Sequence, residues 1–269
     1  MFKACFKKDW LEQVRNGKLF IFLAMGVGIA LFSVLSTFIV GTIMADVDLG
    51  GDVMIEQLES MFTKDYAASL MYFMSFMVSY FAIILIIMVM NVINKEIKNK
   101  KWIAPMCSGV SPENMILSKI LVTTLSVLIG VVSGCLAHFL FTIILFKPTE
   151  AVGAINLFQS YGVFVLFTIF TTVITMCINA ITKKGWVSPL IMIAMLILGT
   201  SIMQVVQITS TTTLIMYTPY AFYDLSMTFS SFAAMGKIEW VISSLTYVLV
   251  TMLMLYFAVK SNKIKASKN

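Results

Sequence analysis

Long apolar stretches alternate with short charged segments along this chain. Six stretches contain no Asp, Glu, Lys or Arg, and they cover 19–45, 66–94, 120–146, 151–182, 185–223 and 240–259. Each stretch reaches the roughly 20 residues that a helix needs to cross a hydrocarbon core about 30 Å thick. The runs are too long, and too apolar on every face, for the alternating strands of a membrane barrel. The pattern therefore predicts an all-α integral membrane protein.

Six membrane-spanning helices follow from these stretches, in a single transmembrane domain covering 1–269. The predicted spans are about 20–44, 68–92, 115–145, 156–182, 186–206 and 240–259. The chain is 59% hydrophobic and 12% charged, whereas soluble domains carry roughly 25% charged residues. The charged segments are thus too short and too few to build a separate soluble domain.

Positive charge is concentrated in alternate segments, which predicts the orientation. Lys and Arg crowd into the first 18 residues, the segment 95–119, the pair at 183–184 and the tail from 260. Since cytoplasmic loops are enriched in Lys and Arg, both termini are expected in the cytoplasm. The net charge of +6 then reflects topology, and no nucleic-acid partner is expected.

The segment before the first span predicts an interfacial elbow helix over 2–17. Apolar residues, among them Phe6 and Trp10, recur near helical spacing, while Arg15 falls on the opposite side with other charges. A helix of this kind can lie in the membrane interface, where Trp is preferred. A charged anchor without that role is the alternative interpretation.

The stretch 185–223 is too long for one crossing and too short for two. Its middle is polar from Gln204 to Thr213, and Pro219 follows. We expect a helix to about 206 and then an outer segment that re-enters the bilayer before span six, which requires a protein or water covering. An ordinary apolar outer loop is the alternative.

The segment between spans two and three is rich in signals. A short basic element contains Trp102 and Ile103, and a break is expected from Pro105 to Gly109. The run Ser111-Pro112-Glu113 then predicts a helix start, because Ser caps helices, Pro suits the first turn and a carboxylate suits the positive helix end. A short cytoplasmic helix between two long spans would form a docking handle, and a solvated basic loop is the alternative.

These features resemble the membrane subunits of ABC-2 type exporters, the type V exporter fold. The resemblance rests on the elbow helix, six spans, Glu96 after span two, Pro105, Ser111 and Lys119 at the start of span three, and Tyr217-Thr218-Pro219-Tyr220 before span six. Where the family usually has Gly-Thr after the Glu, this chain has Lys100-Lys101-Trp102.

The resemblance implies a permease subunit that pairs with a second copy or a paralogue and is driven by separate ABC ATPase subunits. ATP and Mg²⁺ would be bound by the ATPase, and this chain would bind no cofactor and catalyse no reaction. Its Gly17-Lys18-Leu19 lacks the upstream glycine and the hydroxyl of a P-loop. The ATPase-coupling residues implied are Glu96, Lys98, Lys100, Lys101, Trp102, Ile103 and Pro105.

The family's passage lies between spans two and five of paired subunits. The corresponding candidates here are Met71, Met74, Ser75, Thr200, Gln204 and Gln207. Because Met adapts to varied apolar partners, such a lining would suit an amphipathic or antimicrobial peptide or a lipid-like cargo. Ordinary helix packing is the alternative for each of these residues.

Three other functions remain open from the sequence. The spacing Met71-x-x-Met74-x-x-Met77 resembles soft-metal ligation, although 21 Met make such triplets common. The single histidine, His138, lies five residues after Ser133, which is poor geometry for a catalytic dyad, so a buried structural histidine is expected. The chain could also be a membrane sensor or assembly protein that binds a soluble partner through its basic loop.

Overall fold

The computed structural model describes residues 1–45, 66–90, 92–146, 154–195, 197 and 237–266, and these residues form helices and no strand. The helices are α1 (Phe2–Arg15), α2 (Lys18–Ala45), α3 (Tyr66–Phe76), a π-helical segment (Met77–Phe81), α4 (Ala82–Val89), α5 (Val92–Lys98), α6 (Ile103–Cys107), α7 (Pro112–Leu145), α8 (Ala154–Thr182), α9 (187–195) and α10 (Lys237–Ala266).

Four segments of the described chain are long and apolar enough to cross a membrane: Lys18–Ile43, Ala68–Lys98, Pro112–Leu145 and Phe164–Thr182. A shorter apolar helix covers Leu245–Ser261. The helical, multi-pass membrane character predicted from the sequence is thereby confirmed. The candidate re-entrant segment with Tyr217–Tyr220, and the passage candidates Thr200, Gln204 and Gln207, lie outside the described residues.

The closest helix packing joins α2 to α7 through three glycines. A Cβ atom added to Gly26 would overlap the carbonyl oxygen of Gly130, and one added to Gly134 would lie 2.9 Å from the carbonyl oxygen of Gly26. Small residues let membrane helices approach backbone to backbone. At Gly28, two residues further along α2, such an atom would have no described neighbour within 4 Å.

A buried polar cluster joins α3, α7 and α8. His138 is 0% exposed, its Nδ1 lies 2.7 Å from the hydroxyl of Tyr161, and its Nε2 lies 3.2 Å from the carbonyl oxygen of Ser69. Because a carbonyl only accepts, Nε2 carries the hydrogen and Nδ1 accepts from Tyr161. The ring of Phe73 stacks on the imidazole at 4.3 Å. Ser133 instead donates to the carbonyl of Gly130 at 2.7 Å, so His138 is placed as a structural residue.

The predicted start of α7 is confirmed. Ser111 is the N-cap, its hydroxyl accepts from the backbone N–H of Asn114 at 3.4 Å, Pro112 is the first helical residue, and Glu113 lies in the first turn. This cap fixes where α7 begins. It therefore also fixes where Lys119, two turns later, meets the rest of the protein.

Candidate functional site

A buried lysine holds three carboxylates at one end of the helix assembly. Nζ of Lys119 on α7 lies 2.9 Å from Oδ1 of Asp9, 3.0 Å from Oε2 of Glu12 and 2.6 Å from Oε1 of Glu96. Lys119, Asp9 and Glu96 are each at most 6% exposed. Since buried charges persist only when they are paired and hydrogen-bonded, this charge cluster (Asp9, Glu12, Glu96 and Lys119) ties α1, α5 and α7 together.

Neighbouring polar groups complete the hydrogen bonding of the charge cluster. The hydroxyl of Ser118 donates to Oδ2 of Asp9 at 2.5 Å, and Nε2 of Gln13 donates to the hydroxyl of Thr123 at 3.1 Å. Both contacts join α1 to α7, and both donors are buried. The N-terminal part of α7 therefore binds α1 through side chains that span about one turn of each helix.

The face that α1 presents to the protein is polar. Its buried residues are Asp9 and Gln13, whereas Phe2 is 38% and Leu11 57% exposed. Phe6 and Trp10 are half-buried and stack on each other with ring centroids 6.5 Å apart. The contact surface of α1 is polar because the α7 residues it meets are Ser118, Lys119 and Thr123.

Trp102 connects the charge cluster to the short helix α6. Its indole Nε1 donates to Oε2 of Glu96 at 3.1 Å, and Trp102 is 8% exposed. It is the residue immediately before α6. Beside it, Lys101 lies 3.4 Å from Oε1 of Glu12 and is half exposed. Glu96 therefore bonds at once to Trp102, which leads into α6, and to Lys119 on α7.

Two tight turns hold α6 in place. The backbone N–H of Lys101 donates to the carbonyl of Glu96, and that of Val110 donates to the carbonyl of Pro105, at 3.1 and 3.0 Å. Lys100 and Gly109 take the left-handed conformation, with φ of 54° and 82°. These are helix-ending turns of the Schellman type, one on each side of α6.

The predicted break from Pro105 to Gly109 begins too early. Helix α6 includes Pro105 and continues to Cys107, and only the turn at Gly109 ends it. Proline is tolerated here because the N–H groups of the first helical turn have no intrahelical partner. Ile103 is 53% and Met106 37% exposed, so α6 presents an apolar surface beside exposed lysines.

The charge cluster shifts the acidity of Glu12. Burial opposes its ionisation, but the hydrogen bond and charge of Lys119, assisted by Lys101, outweigh that effect and hold the pKa of Glu12 at about 2, below its ordinary 4.5. Glu12 is therefore ionised throughout the physiological range, and its attachment to Lys119 does not depend on pH there.

The three carboxylates could also serve a cation. Asp9, Glu12 and Glu96 each offer an oxygen, and these oxygens lie within 4.8 Å of one another. Carboxylates are the ligands that Mg²⁺, Ca²⁺ and Mn²⁺ prefer. In this protein the ammonium of Lys119 lies within 3.0 Å of all three residues. The position that a bound cation would take is thus held by a side chain.

The residues predicted to couple to an ATPase divide into two groups. Glu96 and Trp102 are buried and joined, while Pro105 is half-buried within α6. The others are exposed around α6, and they are Lys98, Lys100, Lys101 and Ile103. Arg15 of the predicted elbow helix is exposed at the end of α1.

The described passage candidates lie in α3. Met74 is 4% exposed and packs in the core, and Ser75 is half-buried. For Met71 only the backbone, which is helical, is described. Further along, in the π-helical segment, Tyr80 is 58% exposed. On this span Tyr80 is therefore exposed at the surface, whereas Met74 is buried in the core.

The role of the α1 carboxylates was not predicted from the sequence. Lys119 was singled out by position, but Asp9 and Gln13 were not. One signal was present: Asp9 and Gln13 are four residues apart and so share one face of a helix, and Glu12 lies beside them. The carboxylates on that face needed a basic partner. The partner is Lys119, which is 110 residues from Asp9 and 107 residues from Glu12 in the sequence.

A comparison with known proteins finds no family model that matches this chain and no curated protein of similar sequence.

Proposed function

We propose that this chain is the membrane-spanning permease subunit of an ATP-driven ABC exporter. Two such subunits, identical or paralogous, would form the passage, and separate ATPase subunits would drive it. In this proposal the chain has six spans, an interfacial elbow helix, a re-entrant outer segment and cytoplasmic termini in the bacterial plasma membrane. The cargo would be an amphipathic or antimicrobial peptide or a lipid-like molecule.

The observation that carries the proposal is the position of Glu96 between Trp102 and Lys119. Helix α6 is short and lies between two candidate spans, and its apolar residues Ile103 and Met106 are exposed next to lysines. A soluble motor that pressed on this surface would displace Trp102. The buried bonds of Glu96 would transmit the displacement to α7 and, through Lys119, to α1.

A mechanical route of this kind suits a transporter, because the moving parts would be whole membrane helices. Interactions that are buried and multiply bonded move as a unit, whereas exposed ion pairs yield easily. Helix α7 in turn packs along α2 through the glycine contacts of Gly26, Gly130 and Gly134. A tilt of α7 would therefore carry α2 with it.

Two experiments test the proposal separately: the first asks whether an ATPase binds the surface of α6, and the second asks whether a displacement of Trp102 is transmitted through Glu96. The tagged full-length chain is purified from its native membrane, and the co-purifying proteins are searched for an ATPase with a P-loop. We expect the double variant Lys98→Glu and Lys100→Glu, and separately Ile103→Asp, to reduce recovery of that ATPase. Lys184→Glu, in the exposed turn before α9, is the matched control and should leave recovery unchanged.

The second experiment uses Trp102→Phe, which removes the indole N–H that donates to Glu96 and keeps an aromatic ring. We expect the ATPase to remain bound while its turnover loses its response to cargo. Recovery of no ATPase from any preparation would contradict the proposal. A soluble partner whose binding does not respond to nucleotide would favour a sensor or assembly protein instead.

A further inference from the structure

A mixed-charge cavity lies beside the charge cluster. It encloses about 540 Å³, within the usual range for small-ligand sites. Lys18 and Lys95 line it, and neither makes an ion pair within 4 Å in the part of the chain that the structure describes. Met88 and Val92 supply an apolar wall.

Gln13, which lines the cavity, carries a buried polar atom with no partner among the described residues. Its Oε1 accepts no hydrogen bond from them, although Nε2 of the same amide donates to Thr123. Gln13 is 5% exposed and lines the cavity. An unmade hydrogen bond at such depth is costly, so a ligand that donates a hydrogen bond here would be favoured.

Charge balance indicates the sign of that ligand. The lining contains four lysines, namely Lys18, Lys95, Lys101 and Lys119, and three carboxylates, namely Asp9, Glu12 and Glu96. The carboxylates are bound to Lys119 and Lys101. Four positive and three negative groups leave one positive charge, which a monoanion such as a phosphodiester would neutralise.

The position of the cavity indicates what carries the phosphodiester. Lys18 begins the first apolar helix, and Phe20 and Ile21 follow it with 59% and 45% exposure. A headgroup held at Lys18 would have its acyl chains beside these exposed side chains. Basic pockets between membrane helices, at the level of the lipid headgroups, are recurrent sites for anionic lipids.

We propose that this cavity binds the headgroup of an anionic phospholipid, with the phosphodiester between Lys18 and Lys95 and a headgroup hydroxyl donating to Oε1 of Gln13. A phosphoglycerol headgroup supplies both: its phosphodiester carries the single negative charge and its glycerol carries the hydroxyl. The site requires only that the chain resides in a membrane, so it does not depend on the exporter proposal. A lipid there would contact the same charge cluster that joins α1, α5 and α7.

The test measures thermal unfolding of the full-length protein in a neutral detergent while short-chain lipid is added. We expect dihexanoyl phosphatidylglycerol to raise the midpoint saturably, and dihexanoyl phosphatidylcholine, which is zwitterionic and lacks a hydroxyl, to raise it far less. Equal stabilisation by the two lipids would overturn the proposal without any variant. If free glycerol phosphate raises the midpoint with the same half-saturating concentration as the lipid, the acyl chains do not contribute and a lipid is not the occupant.

Variants locate the site. The double variant Lys18→Gln and Lys95→Gln removes two charge-assisted contacts, so we expect the half-saturating concentration of phosphatidylglycerol to rise by about tenfold or more. The control pair Lys7→Gln and Lys98→Gln removes the same amount of charge from α1 and α5, and both lysines are exposed and do not line the cavity. An unchanged titration in the first pair, or an equal loss in the control pair, would overturn the assignment.

The role of Gln13 has its own readout. Dihexanoyl phosphatidylmethanol carries the same charge as phosphatidylglycerol and has no hydroxyl. We expect wild-type protein to need a several-fold higher concentration of it for half-saturation, and Gln13→Met to abolish that difference. If wild-type protein does not distinguish the two lipids, the hydrogen bond to Gln13 is refuted.

Discussion

Nζ of Lys119 lies 2.6 Å from Oε1 of Glu96, and both residues are buried at the same end of two different candidate membrane spans. The same ammonium also serves Asp9 and Glu12 on α1. One positive charge therefore holds together three carboxylates that would otherwise repel one another. This arrangement makes Lys119 the residue on which the attachment of α1 and α5 to α7 depends most directly.

Lys119→Met should strongly destabilise the protein, because three carboxylates would keep their burial and lose their counter-charge. Breaking a buried ion pair from one side costs about 3–5 kcal/mol. The measurement is the free energy of unfolding in detergent by denaturant titration. Lys98→Met, an exposed lysine on α5, should change it by less than about 0.5 kcal/mol. A similar small effect at Lys119 would show that the charge cluster contributes little.

Lys119→Ala should create a binding site for a divalent cation. The oxygens of Asp9, Glu12 and Glu96 that lie within 4.8 Å of one another would face the space left by the ammonium. We expect Mn²⁺ to raise the thermal midpoint of this variant and to leave the wild-type midpoint unchanged. A further change of Asp9→Asn in the variant should weaken the effect, since it removes one ligand. An equal response of wild-type protein would argue against a vacated site.

Trp102→Phe should cost about 1.5–3 kcal/mol of stability, the usual contribution of a hydrogen bond to a charged group. The variant keeps an aromatic ring but is smaller than indole, so the loss combines the indole N–H that donates to Glu96 with part of the buried ring packing. The readout is again the free energy of unfolding. Trp186→Phe, at a tryptophan that is 63% exposed, is the control. Equal losses for the two substitutions would contradict the contact with Glu96.

Gly26→Ala should destabilise the helix assembly by about 1–3 kcal/mol, the cost of overpacking. Its methyl group would meet the backbone of Gly130, which cannot move aside as a flexible side chain can. Gly28→Ala, two residues further along α2, meets open space and should be neutral. The measurement is the thermal unfolding midpoint of each variant. A neutral Gly26→Ala would mean that α2 and α7 are further apart than described.

Glu12 should stabilise the protein in a pH-dependent way. Its pKa is about 2 in the folded chain against 4.5 ordinarily, so folding favours the ionised form. The contribution is therefore complete above about pH 4.5 and is lost as the pH falls towards 2. The difference in thermal midpoint between wild-type and Glu12→Gln protein should be constant from pH 7 to 5 and shrink below that. A difference that grows on acidification would contradict the ion pair with Lys119.

The helical membrane character could be predicted because it is written in local runs of sequence. The stretch 120–146 is mostly apolar and contains no Asp, Glu, Lys or Arg over 27 residues, and lipid leaves a single run of this kind only the helix as a spanning structure. The start of α7 was equally local, since Ser111, Pro112 and Glu113 each have a preference for one position at a helix N-terminus. The break at Pro105 was predicted wrongly because proline occurs both where a helix breaks and in the first turn of a helix.

The partners of Lys119 could not be predicted, because charge alone does not say which distant residues meet. Asp9 and Gln13 have the composition of a solvated face, and only their packing against α7 makes them buried. Likewise Gly26 and Gly28 are alike in sequence, but only Gly26 lies against a backbone. The sequence by itself determined that helices form and where most of them start, since those choices rest on neighbouring residues. The tertiary structure alone decided which charges share one buried site, because burial and distance exist only once helices from separate parts of the chain have packed.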